Sequence, residues 1–259
     1  MHGTQQSPHQ YIESFAFETD AGLGAGARLG LIVLQTDQTI EHEVGALLRG
    51  DGRALYHARI ANQTEVTPET LRQMEADLPA AAALLPADFA FDVIGYGCTS
   101  GATIIGESRV AKIIRQVHPE VKVTDPVSAL KAALAAMGIT RMALVTPYAP
   151  SVTQALQDNL QAAGIQINAV ASFNQIDDFT VARITSDSIA TGLRAIGKRE
   201  DCEAIFVSCT SLRTLPVIAA AEAELGKPVL SSNQVLSWHM LRLAGQTSSP
   251  SGAGCLFDH

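Results

Sequence analysis

Apolar residues along this chain bunch into short unbroken runs, separated by longer stretches in which they recur every three or four positions. The runs are Arg28–Gln35 (RLGLIVLQ), Phe91–Gly97, Val121–Thr124, Arg141–Pro147, Ile167–Phe173, Glu203–Cys209 and Lys227–Ser232. Continuous apolar runs of this length predict strands buried on both faces of a parallel sheet. The stretches between them carry helical periodicity, over Gln38–Leu48, Thr67–Leu85, Gly106–Pro119, Pro126–Gly138, Ala149–Gly164, Ser186–Lys198, Arg213–Gly226 and Asn233–Gly245. Thr67 before Pro68 and Glu69 reads as an N-cap with proline at the first helical position. Gly138 reads as a helix stop. Strands alternating with helices predict βαβ units, hence an α/β protein. Polar residues 1–27, Gly-rich at their end, predict a loose leader, and the turn-rich tail from Gln246 predicts a loose end with an incidental Cys255.

The pattern runs through the chain twice. Strand starts near Leu29 and Arg141 lie 112 positions apart, Cys98 and Cys209 lie 111 apart, and Val123 and Leu230 lie 107 apart. Loop insertions account for a drift of this size. Two copies of one α/β unit predict a first lobe over 28–126, with 230–259 packing back on it, and a second lobe over 127–229. The lobes are related by a pseudo-twofold axis, with a cleft between them.

Hydrophobic residues at 47% and charged residues at 17% of 259 describe a globular chain with a sizeable core. A formal charge of −8 disfavours nucleic acid and anionic membrane as partners. No apolar run approaches membrane-spanning length, and residues 1–15 lack the basic start and apolar centre of a signal peptide, which predicts a cytoplasmic protein. The apolar side of 67–85 suits either core burial or a homo-oligomer contact. Four scattered cysteines without a C-x-x-C predict neither a disulfide framework nor a metal site.

The tripeptide Cys-Thr-Ser occurs twice, at 98–100 and 209–211, each time where a strand ends. Ligands of open α/β sheets bind beyond the carboxyl ends of the strands. Cys98 and Cys209 are therefore expected to converge from the two lobes on one cleft. A cysteine preceding a helix meets the positive end of the helix dipole, so lowered thiol pKa values are expected. The hydroxyls of Thr99, Ser100, Thr210 and Ser211 are candidates for holding a substrate carboxylate. Alternatively, each cysteine is a small core residue.

At these residues the chain resembles the Asp/Glu racemase superfamily, in particular its branch of maleate cis–trans isomerases and arylmalonate decarboxylases. The resemblance rests on GLIVLQTDQTIEHE, YGCTSG, LVTPYAPSV, SFNQIDDFTVARI and SCTSLRTLPVI. It implies two Rossmann-like lobes, chemistry without a cofactor, Cys98 as nucleophile and Cys209 as proton donor or acceptor. Tyr148 and Asn174 match substrate-contacting positions. Decarboxylases of the branch carry glycine at the first cysteine position, so Cys98 points to an isomerase or a racemase. Asp37 stands where maleate isomerases have a carboxylate-binding asparagine, which suits an ammonium or amide group on the substrate, a base, or simply a helix cap. The LQTDQT stretch resembles a subgroup associated with ectoine utilisation, implying an amino-acid-like substrate. Three alternatives stay open at this point: a two-base amino-acid racemase, an arylmalonate-type decarboxylase, and a two-lobe binding protein without chemistry.

Overall fold

A computed structural model describes residues 13–50 and 52–259. The first lobe runs β1 (Ala27–Leu34), α1 (Ile40–Leu48), β2 (Arg53–Ile60), α2 (Pro68–Ala83), β3 (Val93–Gly97), α3 (Thr99–Ile105), α4 (Glu107–Val117), β4 (Lys122–Thr124) and α5 (Pro126–Met137). The second runs β5 (Arg141–Tyr148), α6 (Pro150–Ala162), β6 (Gln166–Gln175), α7 (Asp178–Val181), α8 (Ser186–Gly197), β7 (Ala204–Val207), α9 (Leu215–Leu225), β8 (Val229–Ser231) and α10 (Ser232–Leu243). The sheets have orders β2-β1-β3-β4 and β6-β5-β7-β8, parallel throughout. The two orders are the same permutation of successive strands, which is the duplication seen in the sequence.

The central strands β1 and β5 are the most apolar because helices cover both their faces. Strand β2 has no counterpart among the apolar runs. It is an edge strand whose sequence RALYHARI leaves most positions only partly buried, so two arginines and a histidine are tolerated there. Helix α2 starts as its sequence predicts: Thr67 Oγ1 accepts from the Thr70 N–H at 3.3 Å, and Thr70 Oγ1 accepts from the Thr67 N–H at 3.1 Å.

Helix α10 follows β8 yet lies against β3 and β4 of the first sheet and against α5. Gly95 in β3 admits it: a Cβ there would stand 2.8 Å from Met240 Sδ and 3.4 Å from Leu236 Cδ1. Of the leader expected over 1–27, residues 1–12 lie outside the described residues, 13–26 carry no helix, and Ala27 already belongs to β1. The tail is not loose. A short 3-10 turn at Cys255–Asp258 buries Leu256 and Phe257, and α10 holds it through Trp238 Nε1 and Arg242 Nε, both donating to the His259 carbonyl. Turn residues around Pro250 and Gly252 hid two buried apolar side chains behind a polar composition. Among the described residues no helix is long and apolar enough to cross a membrane.

Candidate active site

The carboxyl ends of β3 and β7 deliver the two Cys-Thr-Ser turns to opposite walls of one enclosed cavity. Cys98, Thr99 and Ser100 line it from the first lobe; Tyr148, Cys209, Thr210 and Ser211 line it from the second. These seven candidates converge although 111 residues separate the cysteines.

The two turns have different backbones. Cys98 is the N-cap of α3 in extended geometry (φ −148°), and its Sγ accepts the Gly101 N–H at 3.1 Å. Cys209 has φ 111°, a region that costs a residue with a side chain on the order of 1–3 kcal/mol. That conformation is clamped from several sides. The Cys209 N–H donates to Ser232 Oγ at 2.9 Å, Asn233 Nδ2 donates to the Thr210 carbonyl at 2.9 Å, and Thr210 Oγ1 donates to the Gly97 carbonyl at 3.4 Å. Ser232 Oγ also pairs with Thr99 Oγ1 at 2.8 Å, so one hydroxyl ties both turns together. Helix α9 begins six residues beyond Cys209, so only Cys98 occupies the helix-capping position expected for both thiols.

Behind the turns sits Glu43, 3% exposed. It accepts from the Leu215 N–H (2.8 Å), Asn233 Nδ2 (2.8 Å) and Thr214 Oγ1 (3.2 Å), joining α1 of the first lobe to the second. Burial raises its pKa, and its three donors oppose the rise.

Asp37 does not line the cavity. It is 3% exposed, and its Oδ1 accepts the N–H groups of Thr39 and Ile40, each at 2.8 Å, so it starts α1 as a helix cap. Its Oδ2 accepts from Ser211 Oγ at 3.4 Å. Two acidic residues line the cavity instead, Glu65 and Asp178; Asp178 accepts from Ser211 Oγ at 2.9 Å and from Thr36 Oγ1. Asn174 sits exposed on edge strand β6, outside the cavity lining, with its N–H donated to Ser172 Oγ. Asp178, Glu43, Ser232 and Asn233 are absent from the residues singled out in the sequence. The DD pair at 177–178 was the one visible hint, since a single acid on a short helix carries no spacing signal.

The cavity is closed over by the segment after β2. Val66 N–H donates to the Ile176 carbonyl at 2.8 Å, and Asp178 N–H donates to the Thr64 carbonyl at 3.0 Å. The enclosed volume is about 20 Å³, room for a single water.

Electrostatics reverses the expectation for the thiols. Burial pushes Cys98 up to about 12, with the Asp178 and Asp37 carboxylates adding to the rise and the Ser100 hydroxyl and Gly101 N–H opposing it. Cys209 is raised well above its ordinary value by burial and then by Asp178. The partial charge of a seven-residue helix does not offset full desolvation beside two acids. In the closed cavity both sulfurs are thiols. Burial also raises Asp37 and Asp178, and each acid's acceptor role partly opposes this.

The family model for arylmalonate decarboxylase matches residues 29–257. The chain is 29% identical over 238 residues to a maleate isomerase of Nocardia farcinica, covering 88% of this chain and 94% of that one. Among solved structures it is similar to the maleate isomerase Iso from Pseudomonas putida S16, at 26% identity, TM-score 0.83, and 89% and 98% coverage. It is also similar to a Nocardia farcinica maleate cis–trans isomerase mutant with a covalently bound succinylcysteine intermediate, at 27% identity, TM-score 0.81, and 89% and 98% coverage. Among the described residues, no group of three or more His, Cys, Asp or Glu side chains is arranged to hold a metal ion.

Proposed function

The chain belongs to the arylmalonate decarboxylase family, and from that premise we propose that it is an isomerase of the maleate cis–trans isomerase type, working through its two cysteines. The observation that carries the reading is the meeting of Cys98 and Cys209 in one cavity from pseudo-equivalent strands. The succinylcysteine of the Nocardia farcinica structure supports covalent sulfur chemistry in such a cavity. A cysteine at 98, where decarboxylases of the branch carry glycine, favours isomerisation over decarboxylation.

The pair works with one proton between two sulfurs. Cys98 Sγ, as thiolate, adds to one alkene carbon of a cis-enoic acid, and the electron pair of the double bond takes the proton of Cys209 at the neighbouring carbon. The former double bond is now single and rotates. Cys209 thiolate removes the proton it gave, the double bond re-forms in the trans geometry, and Cys98 leaves as thiolate. Both sulfurs return to their starting state, so no oxidant or co-reactant is consumed. Tyr148, a residue only 2% exposed whose hydroxyl accepts from Ser208 Oγ at 3.2 Å, steadies the Cys209 side.

Burial raises both thiols, so forming the Cys98 thiolate requires substrate binding to offset that cost. Four free cysteines fit a reducing compartment, in keeping with a cytoplasmic enzyme.

Proton NMR of maleate incubated with the protein in deuterated water tests the proposal. Fumarate formation, lost in both Cys98→Ala and Cys209→Ala while circular dichroism is unchanged, is the expected result. Unimpaired turnover by either variant overturns the two-thiol mechanism.

A further inference from the structure

The second-lobe end of the cavity is built from hydrogen-bond acceptors. Asp178 reaches the cavity with its carboxylate, and the two hydroxyls beside it are committed to that carboxylate: Ser211 Oγ donates to Asp178 Oδ1 at 2.9 Å and Thr36 Oγ1 donates to Oδ2. The single proton of Ser211 is shared further with Asp37 Oδ2 at 3.4 Å. A hydroxyl whose proton is spent presents only lone pairs to a ligand. The Ser211 hydroxyl, a candidate for gripping a substrate carboxylate, is thus an acceptor here.

Charge points the same way. The cavity lining contains two acids, Glu65 and Asp178, and no lysine, arginine or histidine. Arg59, the guanidinium that reaches the β1–α1 turn, is occupied by the carbonyls of Leu34, Gln35 and Asp37 and by Glu41. A dianion such as maleate would therefore bring a carboxylate against Asp178 with Asp37 behind it, in a largely desolvated site where the repulsion is weakly screened. Away from Asp178 the lining is different. Ser100 of the first lobe and Tyr148 of the second present hydroxyls that contact Cys98 Sγ and Ser208 Oγ rather than a carboxylate, and can turn to donate to one acid group.

Resting on the two-thiol isomerase reading, we propose that Asp178, backed by Asp37, is the specificity-determining residue of the cavity, and that it selects a substrate with one carboxylate and, at the other end, a hydrogen-bond donor: a carboxamide or an ammonium group. In the cis-butenedioate series the preferred substrate is the monoamide of maleic acid, not maleate. The amide NH2 donates to Asp178 and to the Ser211 lone pair, leaving the alkene between Cys98 and Cys209. A donor at this end also relieves the negative field that Asp178 imposes on both sulfurs, so the selected substrate helps to form the nucleophile.

The test compares kcat/KM for maleate and its monoamide by NMR near pH 8, where the free carboxylates are ionised, in the wild type, Asp178→Asn and Asp37→Asn. A wild-type preference for the monoamide of about tenfold or more, the ratio that one pKa unit of charge interaction gives, is expected. Asp178→Asn, which keeps the shape and accepts one bond fewer, should raise maleate turnover and lower monoamide turnover. A wild-type preference for maleate, or an Asp178→Asn variant that lowers both substrates equally, overturns the selectivity while leaving the isomerase standing. If neither compound is turned over and no adduct forms on Cys98, the isomerase reading fails, and the saturated analogues still read the subsite. Succinamate protecting Cys98 and Cys209 from alkylation at about a tenth of the concentration that succinate needs supports the acceptor wall. Equal protection, or better protection by succinate, removes it.

Discussion

The sharpest conflict between local and tertiary effects is at Cys98, and its ionisation resolves it. A cysteine capping a helix is expected to ionise readily, whereas this one is fully enclosed beside two carboxylates. Its pKa rises from 9.0 to about 12. Three units correspond to ~4 kcal/mol against the thiolate and to roughly a thousandfold less thiolate at neutral pH than in an ordinary cysteine. The perturbation is a titration of the resting enzyme from about pH 6 to 10, following thiolate ultraviolet absorbance in the wild type minus that in Cys98→Ala. Equilibrium absorbance reports the dominant closed state, unlike alkylation, which draws on transient opening. The difference signal should stay flat across this range. In Asp178→Asn it should begin to rise at lower pH, because one of the groups holding the thiol up has been neutralised. A Cys98-dependent transition centred below about pH 9 in the wild type would refute the reasoning and hand control of this thiol to the helix end.

Glu43→Ala leaves Thr214 Oγ1, the Leu215 N–H and Asn233 Nδ2 without their buried acceptor; a loss of about 3 kcal/mol is expected in urea unfolding, with the denaturant slope unchanged. The pKa values of Asp37, Glu43, Asp125 and Asp178 are all raised in the folded state, so folding takes up protons and stability falls as pH rises from the ordinary carboxylate range through the folded values. The lowered pKa values of His57 and His239 act the other way, so the comparison isolates one acid: by calorimetry, the Tm of Glu43→Gln should fall less than that of the wild type as pH rises from about 5 to 8, and an identical pH dependence contradicts this. A Cβ at Gly101 would stand 2.6 Å from Tyr96 Oη and 2.9 Å from Cys98 Sγ, so Gly101→Ala should cost about 1–3 kcal/mol and cut turnover sharply by displacing the sulfur. Because Cys209 holds φ 111° and Cys98 does not, Cys209→Gly should be more stable than Cys209→Ala by about 1 kcal/mol, while Cys98→Gly should be less stable than Cys98→Ala. Equal stabilities within each pair would mean that the second turn stores no strain.

Most of the framework was legible because buried parallel strands are written as apolar runs, and a duplicated fold writes them twice. Strand β2 was not, since an edge strand half open to solvent needs no such run, and Arg53, His57 and Arg59 mask it. The convergence of the two Cys-Thr-Ser turns was legible from their place at strand ends. The ionisation of those cysteines was not, because it depends first on burial between the two lobes and then on Asp178 and Asp37, which lie far from either cysteine in sequence. Asn174 lies outside the cavity lining for a related reason: its motif SFNQ is on an edge strand whose outer face is exposed, whereas Asp178, four positions on and past the end of the strand, lines the cavity. Asp37 served the humbler of its readings as a cap, yet its second oxygen still shares the Ser211 proton with Asp178, so the capping and electrostatic roles coexist in one side chain.

Duplication alone would give two equivalent thiols, and an addition–elimination cycle needs inequivalent ones. The chain breaks the equivalence through backbone rather than residue type. At 98 the turn runs directly into α3, so the sulfur is held by the Gly101 N–H, a bond that favours its charged form. At 209 the backbone is twisted into positive φ and α9 starts only at Leu215; there Asp178 comes directly after burial in favouring the protonated form, while the Ser211 N–H and the Tyr148 hydroxyl oppose it. The larger place of Asp178 among the causes that raise Cys209 supports the proposed division of labour, Cys98 as nucleophile and Cys209 as proton carrier. Exchanging the roles would require moving the strain and the acid from one lobe to the other, which no single substitution at either cysteine accomplishes.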